Sequence, residues 1–235
     1  MQIIEITGYA IRSAAVTLRR ADTPMTFTLF PMLHFAAPSF YAEVRRRLRS
    51  CELIVSEGVE AGGRTLQSDA MAFTNRYFPR GRQRGLVGQT DQAVLPPGVP
   101  VIRPDVPPVD LERELRELPY LTRLSLIAGS HLTAVALALV GPGLFLNEDL
   151  AVHDLPFTAG EEQLADAPLS HALLDDRDRA LLAALSDIHE RRKTERITIG
   201  VVYGAGHMPA VANGLMSRYR YRPREAEWMT VCIPD

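Results

Sequence analysis

Three side chains that can bind metal or carry protons each follow a short apolar run. They are His34, Glu57 and His207. The runs before them predict β-strands at residues 27–33, 53–56 and 197–203. Because the carboxyl ends of parallel strands meet at one edge of an α/β sheet, where ligands bind, we expect the three side chains to converge there. Two imidazoles and a carboxylate form a familiar ligand set for a divalent metal, which would lower the pKa of its water and supply a nucleophile.

The segment VVYGAGHMPAV, residues 201–211, predicts how His207 reaches that edge. Gly204 and Gly206 would let the chain turn sharply after the strand, and Pro209 would start the next helix. The amides of that helix would then face the same crevice. The alternative is a tight strand-to-helix turn with no function.

His34 and Glu57 each have a similar choice of interpretations. A lone histidine after an apolar strand is often a core residue whose hydrogen bonds are satisfied, and this remains the alternative for His34. A carboxylate that ends a buried strand needs a partner, which favours a specific role for Glu57.

The elements that must position these side chains alternate between strand and helix. Helical patterns occupy several segments, at residues 40–49, 109–139, 173–188 and 209–218, and a final strand is predicted at 228–233. This alternation predicts an α/β fold with a mainly parallel central sheet flanked by helices. We expect residues 1–108 and 171–235 to form the core, with a cap-like helical insert at 109–170.

Composition narrows the possible partners and the compartment. The 235 residues carry a formal net charge of −2 and are 46% hydrophobic, which fits a globular core and gives no bulk attraction to nucleic acid or acidic membranes. Cys51 and Cys232 form no CxxC pair, so buried free thiols in a reducing cytoplasm are expected. The first 20 residues do not have the pattern of a signal peptide. We therefore predict a cytoplasmic protein that binds no nucleic acid.

One uncharged stretch, residues 124–146, is long enough to span a bilayer. Gly129 and Ser130 dilute its first half, and the Gly-Pro-Gly sequence at 141–143 breaks its second half. We predict a buried helix there and expect no membrane partner.

Three segments together resemble the TraB/TIKI/GumN-type proteins. TLFPMLHFAAPSFYAEVRRRLRSCELIVSEG resembles the opening of that family, in which a strand ends in a GxxH motif, a helix follows and the next strand ends in a glutamate. LLDDRDRALLAAL resembles the arginine-bearing helix of the family, and VVYGAGHMPAV resembles its second GxxH motif. The order and spacing of these segments cover nearly the whole chain.

The resemblance implies an α/β core related to the erythromycin-esterase and ChaN-like folds, with a helical insert. It also implies a site built from His34, Glu57, Arg177 and His207. Some animal members of the family act as divalent-metal-dependent proteases. The chain departs from the family at Pro31, which stands in place of the first motif's glycine, and we expect this proline to remodel the turn before His34.

Two functions follow as hypotheses. In the first, the chain is a metal-dependent hydrolase of peptides, esters or amides. His34, Glu57 and His207 hold Mn, Co or Zn, and Arg177 steadies an oxyanion or orients a charged end of the substrate. Glu57 would serve as a ligand or as the general base. In the second, the same scaffold binds a small molecule, a peptide or haem without catalysis. The alternative for Arg177 itself is a solvated helix face with local ion pairs.

Overall fold

The computed structural model describes residues 2–33, 35–57, 85–104 and 176–233, without the side chains of Phe35 and Asp176. His34 lies outside the described residues. So does the segment 109–170, predicted as a helical insert.

Strands and helices contribute equally to the regular structure of the described part of the chain. The strands are β1 (Ile4–Ile6), β2 (Ile11–Arg19), β3 (Thr26–Met32), β4 (Phe35–Ala36), β5 (Leu53–Ser56), β6 (Val87–Gly88), β7 (Val101–Ile102), β8 (Thr198–Gly204) and β9 (Arg222–Cys232). The helices are α1 (Pro38–Leu48), α2 (Asp91–Val94), α3 (Asp176–Arg192) and α4 (Met208–Tyr219), and one 3₁₀ turn covers Ala205–His207.

The main sheet has seven strands in the order β1-β2-β3-β8-β5-β7, with β9 paired to β2. Strands β3, β8, β5 and β7 are parallel to one another, whereas β1, β3 and β9 each run antiparallel to β2. Strands β4 and β6 form a separate two-stranded sheet. The predicted α/β fold is therefore confirmed in its coarser form, and the sheet is mixed.

Helix α1 turns one apolar face towards the core. Phe40, Tyr41, Val44 and Leu48 are all buried, at the spacing that places them on one side of a helix. Pro38 stands in the first turn, where its missing amide costs no helical hydrogen bond. The helix packs closely on β8, because a Cβ added to Gly200 would lie 2.6 Å from Cδ2 of Leu48.

Helices α3 and α4 pack against each other. The helix predicted at 173–188 is observed from Asp176, and its Leu181 and Leu185 are buried whereas Leu182 is half-buried. Helix α4 follows β8 through the 3₁₀ turn and has Pro209 in its first turn, as expected. Gly214 of α4 faces the side chain of Leu182, so the two helices approach closely.

Pro31 lies within β3, opposite Tyr203 of β8. Its carbonyl oxygen accepts a hydrogen bond of 2.7 Å from the buried Ser13 hydroxyl on β2. The amide and carbonyl of one strand residue point to the same side, so the missing N–H of Pro31 also faces β2. The β2–β3 ladder has already ended at the Val16–Leu29 pair. The proline therefore removes no hydrogen bond between β3 and β8.

None of the helices within the described ranges is long and apolar enough to cross a membrane. The uncharged stretch 124–146 is outside those ranges.

Replacing Gly200 with alanine is expected to destabilise the fold by about 1–3 kcal/mol, because the new methyl group would collide with the buried side chain of Leu48. Urea unfolding of both proteins would measure this. Gly206→Ala is the matched control, since a Cβ at Gly206 would meet nothing within 4 Å. Equal midpoints for the two variants would contradict the close packing of α1 on β8.

A buried histidine lies at the end of the sheet that is opposite to the carboxyl ends of β3, β5 and β8. His189 of α3 is 1% exposed, and its Nδ1 shares a hydrogen bond of 3.1 Å with the hydroxyl of Tyr221. The centroid of the Tyr219 ring lies 4.3 Å from the centroid of the His189 ring. Burial lowers the pKa of His189 below its ordinary value of 6.5.

This burial makes stability depend on pH. Below about pH 6.5 the unfolded chain binds a proton on His189 more readily than the folded chain does, so the free energy of unfolding falls as the pH drops. Urea unfolding at pH 7.5 and 5.5 would show the loss. His189→Gln should lose less stability over this interval than the parent chain, and an equal or greater loss would contradict the assignment.

Candidate functional site

The carboxyl ends of three parallel strands form one edge of the sheet, here called the C-terminal edge. Strand β8 lies between β3 and β5, with Gly204 opposite Met32 and Val202 opposite Ser56. The amide of Glu57 continues the ladder by donating to the carbonyl of Val202 at 2.9 Å. The predicted convergence of strand ends is therefore observed for Glu57 and for the segment that leads to His207.

Two groups from distant parts of the chain hold the Glu57 carboxylate. Its Oε2 accepts a hydrogen bond of 2.9 Å from the amide of Gly204, at the end of β8. Its Oε1 accepts one of 2.6 Å from Nη2 of Arg177, in the first turn of α3. The side chain of Glu57 is only 13% exposed, and that of Arg177 is only 18% exposed. The partner that a carboxylate at this position requires is thus Arg177.

His207 lies beside this ion pair. It ends the 3₁₀ turn after β8, its side chain is 7% exposed, and its Nε2 is 4.0 Å from Oε1 of Glu57. The ring packs edge-on against Tyr203, with centroids 5.8 Å apart. The predicted sites Glu57, Arg177 and His207 therefore meet at the C-terminal edge.

Gly204 and Gly206 were expected to allow a sharp turn before His207, but neither has a backbone conformation that requires glycine. Gly204 has a φ of −51°, and the φ of Gly206 is not positive either, so the turn needs no left-handed conformation. A Cβ on Gly204 would stand 3.5 Å from Oε2 of Glu57 and 3.7 Å from the ring of His207. The absent side chain therefore leaves space between the carboxylate and the imidazole.

Asp178 belongs to the same cluster and was not predicted. Its Oδ1 lies 2.6 Å from Nδ1 of His207, and the aspartate is 18% exposed. In the sequence, Asp178 stands between Arg177 and Arg179, a pattern typical of a solvated helix face. Its spacing was a usable signal, because Asp178 precedes the buried Leu181 and Leu185 by three and seven residues and so shares their face.

The four side chains form two pairs, Glu57 with Arg177 and Asp178 with His207. With a neutral imidazole, these four described side chains together carry one net negative charge. Such a cluster suits a cation or a positively polarised group better than an anion.

The described residues contain no group of three His, Cys, Asp or Glu side chains arranged to hold a metal ion. Glu57 and His207 are two of the three predicted ligands. The third, His34, lies outside the described residues, so the complete set has to be tested by experiment.

The Glu57–Arg177 pair should couple more strongly than a surface ion pair. A double-mutant cycle with Glu57→Gln and Arg177→Gln is expected to give a coupling free energy of about 1–3 kcal/mol, because either single change leaves a partly buried charge without its partner. Urea unfolding of the four proteins would measure it.

Asp187 and Arg191 provide the matched control within α3. Their side chains are 53% and 75% exposed and 2.7 Å apart, so a cycle on them should give less than about 0.5 kcal/mol. A coupling free energy at Glu57–Arg177 no larger than at this control would contradict the prediction that this pair is stronger than a surface ion pair.

No family model, curated protein or solved structure matches the chain. The resemblance to the TraB/TIKI/GumN-type proteins therefore depends on the sequence segments alone. The geometry of the C-terminal edge is what bears on function.

Proposed function

We propose that this chain is a divalent-metal-dependent hydrolase whose site lies at the C-terminal edge of the sheet. The observation that carries the proposal is the distance of 4.0 Å between Nε2 of His207 and Oε1 of Glu57, two donors from neighbouring parallel strands. His34 would supply the third ligand. The sequence resemblance adds an independent argument for this group of residues.

The donors present fit such an ion. Metal–nitrogen and metal–oxygen bonds are about 2.0–2.2 Å long, so two donors 4.0 Å apart can both reach one ion. A ligating histidine usually has a carboxylate or carbonyl on its other ring nitrogen, and His207 has Asp178 there. Imidazole and carboxylate together suit Mn, Co or Zn.

A divalent ion bound there would polarise an acyl group and lower the pKa of its water. Glu57 would act as a ligand or, if two histidines suffice for the ion, as the general base. Arg177 would hold Glu57 in place and steady negative charge that develops on the substrate. The reaction would be hydrolysis of a peptide, ester or amide in a small molecule or a peptide.

A specific observation favours the second candidate, a binding protein without catalysis. Both oxygens of Glu57 already accept hydrogen bonds within the protein, from Arg177 and from the amide of Gly204. A carboxylate held in this way is a good fixed recognition group and has less freedom to serve as a base. A small molecule, a peptide or haem would then bind at the same edge.

We also propose that the protein functions in the cytoplasm. Cys51 and Cys232 are free and buried, and burial raises the pKa of Cys51 to about 12 and also raises the pKa of Cys232. Thiols of this kind are stable in a reducing compartment.

Metal binding tests the proposal directly. Chelator-treated protein would be titrated with Mn²⁺, Co²⁺ and Zn²⁺ by calorimetry, with the visible absorption of Co²⁺ reporting its coordination. We expect one ion per chain, and we expect His207→Ala and His34→Ala to abolish binding. His189→Gln, at the opposite end of the sheet, is the matched control and should bind as the parent chain does.

The outcomes separate the two functions. Stoichiometric binding that the site variants lose, followed by metal-dependent cleavage of peptide or ester substrates, would support the hydrolase. Failure of the parent chain to bind any of the three ions would reject it and favour the non-catalytic binding protein. Equal loss in the His189→Gln control would show that the effect is not specific to the site.

A further inference from the structure

We infer that Asp178 is the positioning residue of His207 and fixes its tautomer, with the proton on Nδ1 and the lone pair on Nε2. The tautomer follows from the geometry of this pair. Only its consequence, that Nε2 is the nitrogen available to a metal or a substrate, rests on the proposed function.

The first argument is the chemistry of the contact. An ionised carboxylate only accepts hydrogen bonds, so at 2.6 Å from Oδ1 of Asp178 the Nδ1 atom of His207 must donate. In a neutral imidazole the other nitrogen is then an acceptor. That nitrogen, Nε2, is the one that faces Glu57.

The surroundings of Nε2 support the same tautomer. Oε1 of Glu57 is 4.0 Å from Nε2 and accepts a hydrogen bond of 2.6 Å from Arg177. A hydrogen on Nε2 would be too far from that oxygen to form a hydrogen bond, whereas a hydrogen on Nδ1 has an acceptor at 2.6 Å.

The position of Asp178 on its helix supports a specific role. Asp178, Leu181 and Leu185 follow the i, i+3, i+7 spacing, and both leucines are fully buried. An aspartate at the end of a core-facing stripe loses hydration unless it has a polar partner. His207 is that partner, 29 residues away in the sequence.

Nitrogen-15 NMR of the histidine rings tests the assignment without reference to activity. The signals of His207 would be identified with His207→Gln and recorded well above the pKa of a histidine. We expect the parent chain to show a protonated Nδ1 and an unprotonated Nε2. Because free histidine prefers the opposite tautomer, Asp178→Ala should shift the ring towards a protonated Nε2.

Two further variants keep the test decisive. Asp178→Leu extends the apolar stripe of α3 and preserves the fold if alanine does not, and the same tautomer shift is expected. Asp187→Asn removes an exposed carboxylate from the same helix and should leave the His207 signals unchanged. A protonated Nε2 in the parent chain would overturn the inference, as would a tautomer that no Asp178 variant alters.

Metal titration of the same proteins separates this inference from the proposed function. If His207 is a ligand, Asp178→Ala should weaken binding by about 10–100-fold without abolishing it. If Asp178→Ala shifts the tautomer and the parent chain binds no metal, the positioning role is supported and the metal-dependent hydrolase is rejected. Metal binding with no tautomer shift would support the hydrolase and reject the role of Asp178.

Discussion

The ion pair between Arg177 and Glu57 is the interaction on which the candidate site depends. It joins the first turn of α3 to the end of β5 across 120 residues of sequence. Bringing two charges out of water is costly, and the cost is offset here by a short hydrogen bond and by the Gly204 amide on the second carboxylate oxygen. The same helical turn holds His207 through Asp178. The position of α3 and the geometry of the site are therefore determined together.

Much of this arrangement was predictable, because buried parallel strands have a simple pattern. The run predicted at 53–56 matches Leu53–Ser56, and the run predicted at 197–203 differs by one residue from Thr198–Gly204. Short apolar runs that end in a polar residue place that residue at the edge of the sheet. Strand order was not predictable, since nothing local in the sequence states that β8 lies between β3 and β5.

The antiparallel half of the sheet shows why local patterns fail. Strand β2 (Ile11–Arg19) contains Ser13 and two adjacent alanines and lacks a clear alternation, because side chains on both of its faces are buried. Its partner β9 begins with seven exposed residues, from Arg222 to Trp228, so the strand predicted at 228–233 covers only the second half of it. Both strands are specified by contacts between the two ends of the chain, which propensity does not record.

Part of the candidate site was likewise predictable from the sequence, and part was not. Glu57 and His207 were found because each ends an apolar run, and Arg177 was found through the family resemblance. Asp178 was missed because its neighbours in sequence are charged, although it shares a face with Leu181 and Leu185. Adjacent residues on a helix point about 100° apart, so Arg177 and Asp178 can each hold the end of a different strand segment. Packing of Leu181 and Leu185 sets the rotation of α3, and this rotation decides which carboxylate meets the imidazole and which meets the guanidinium.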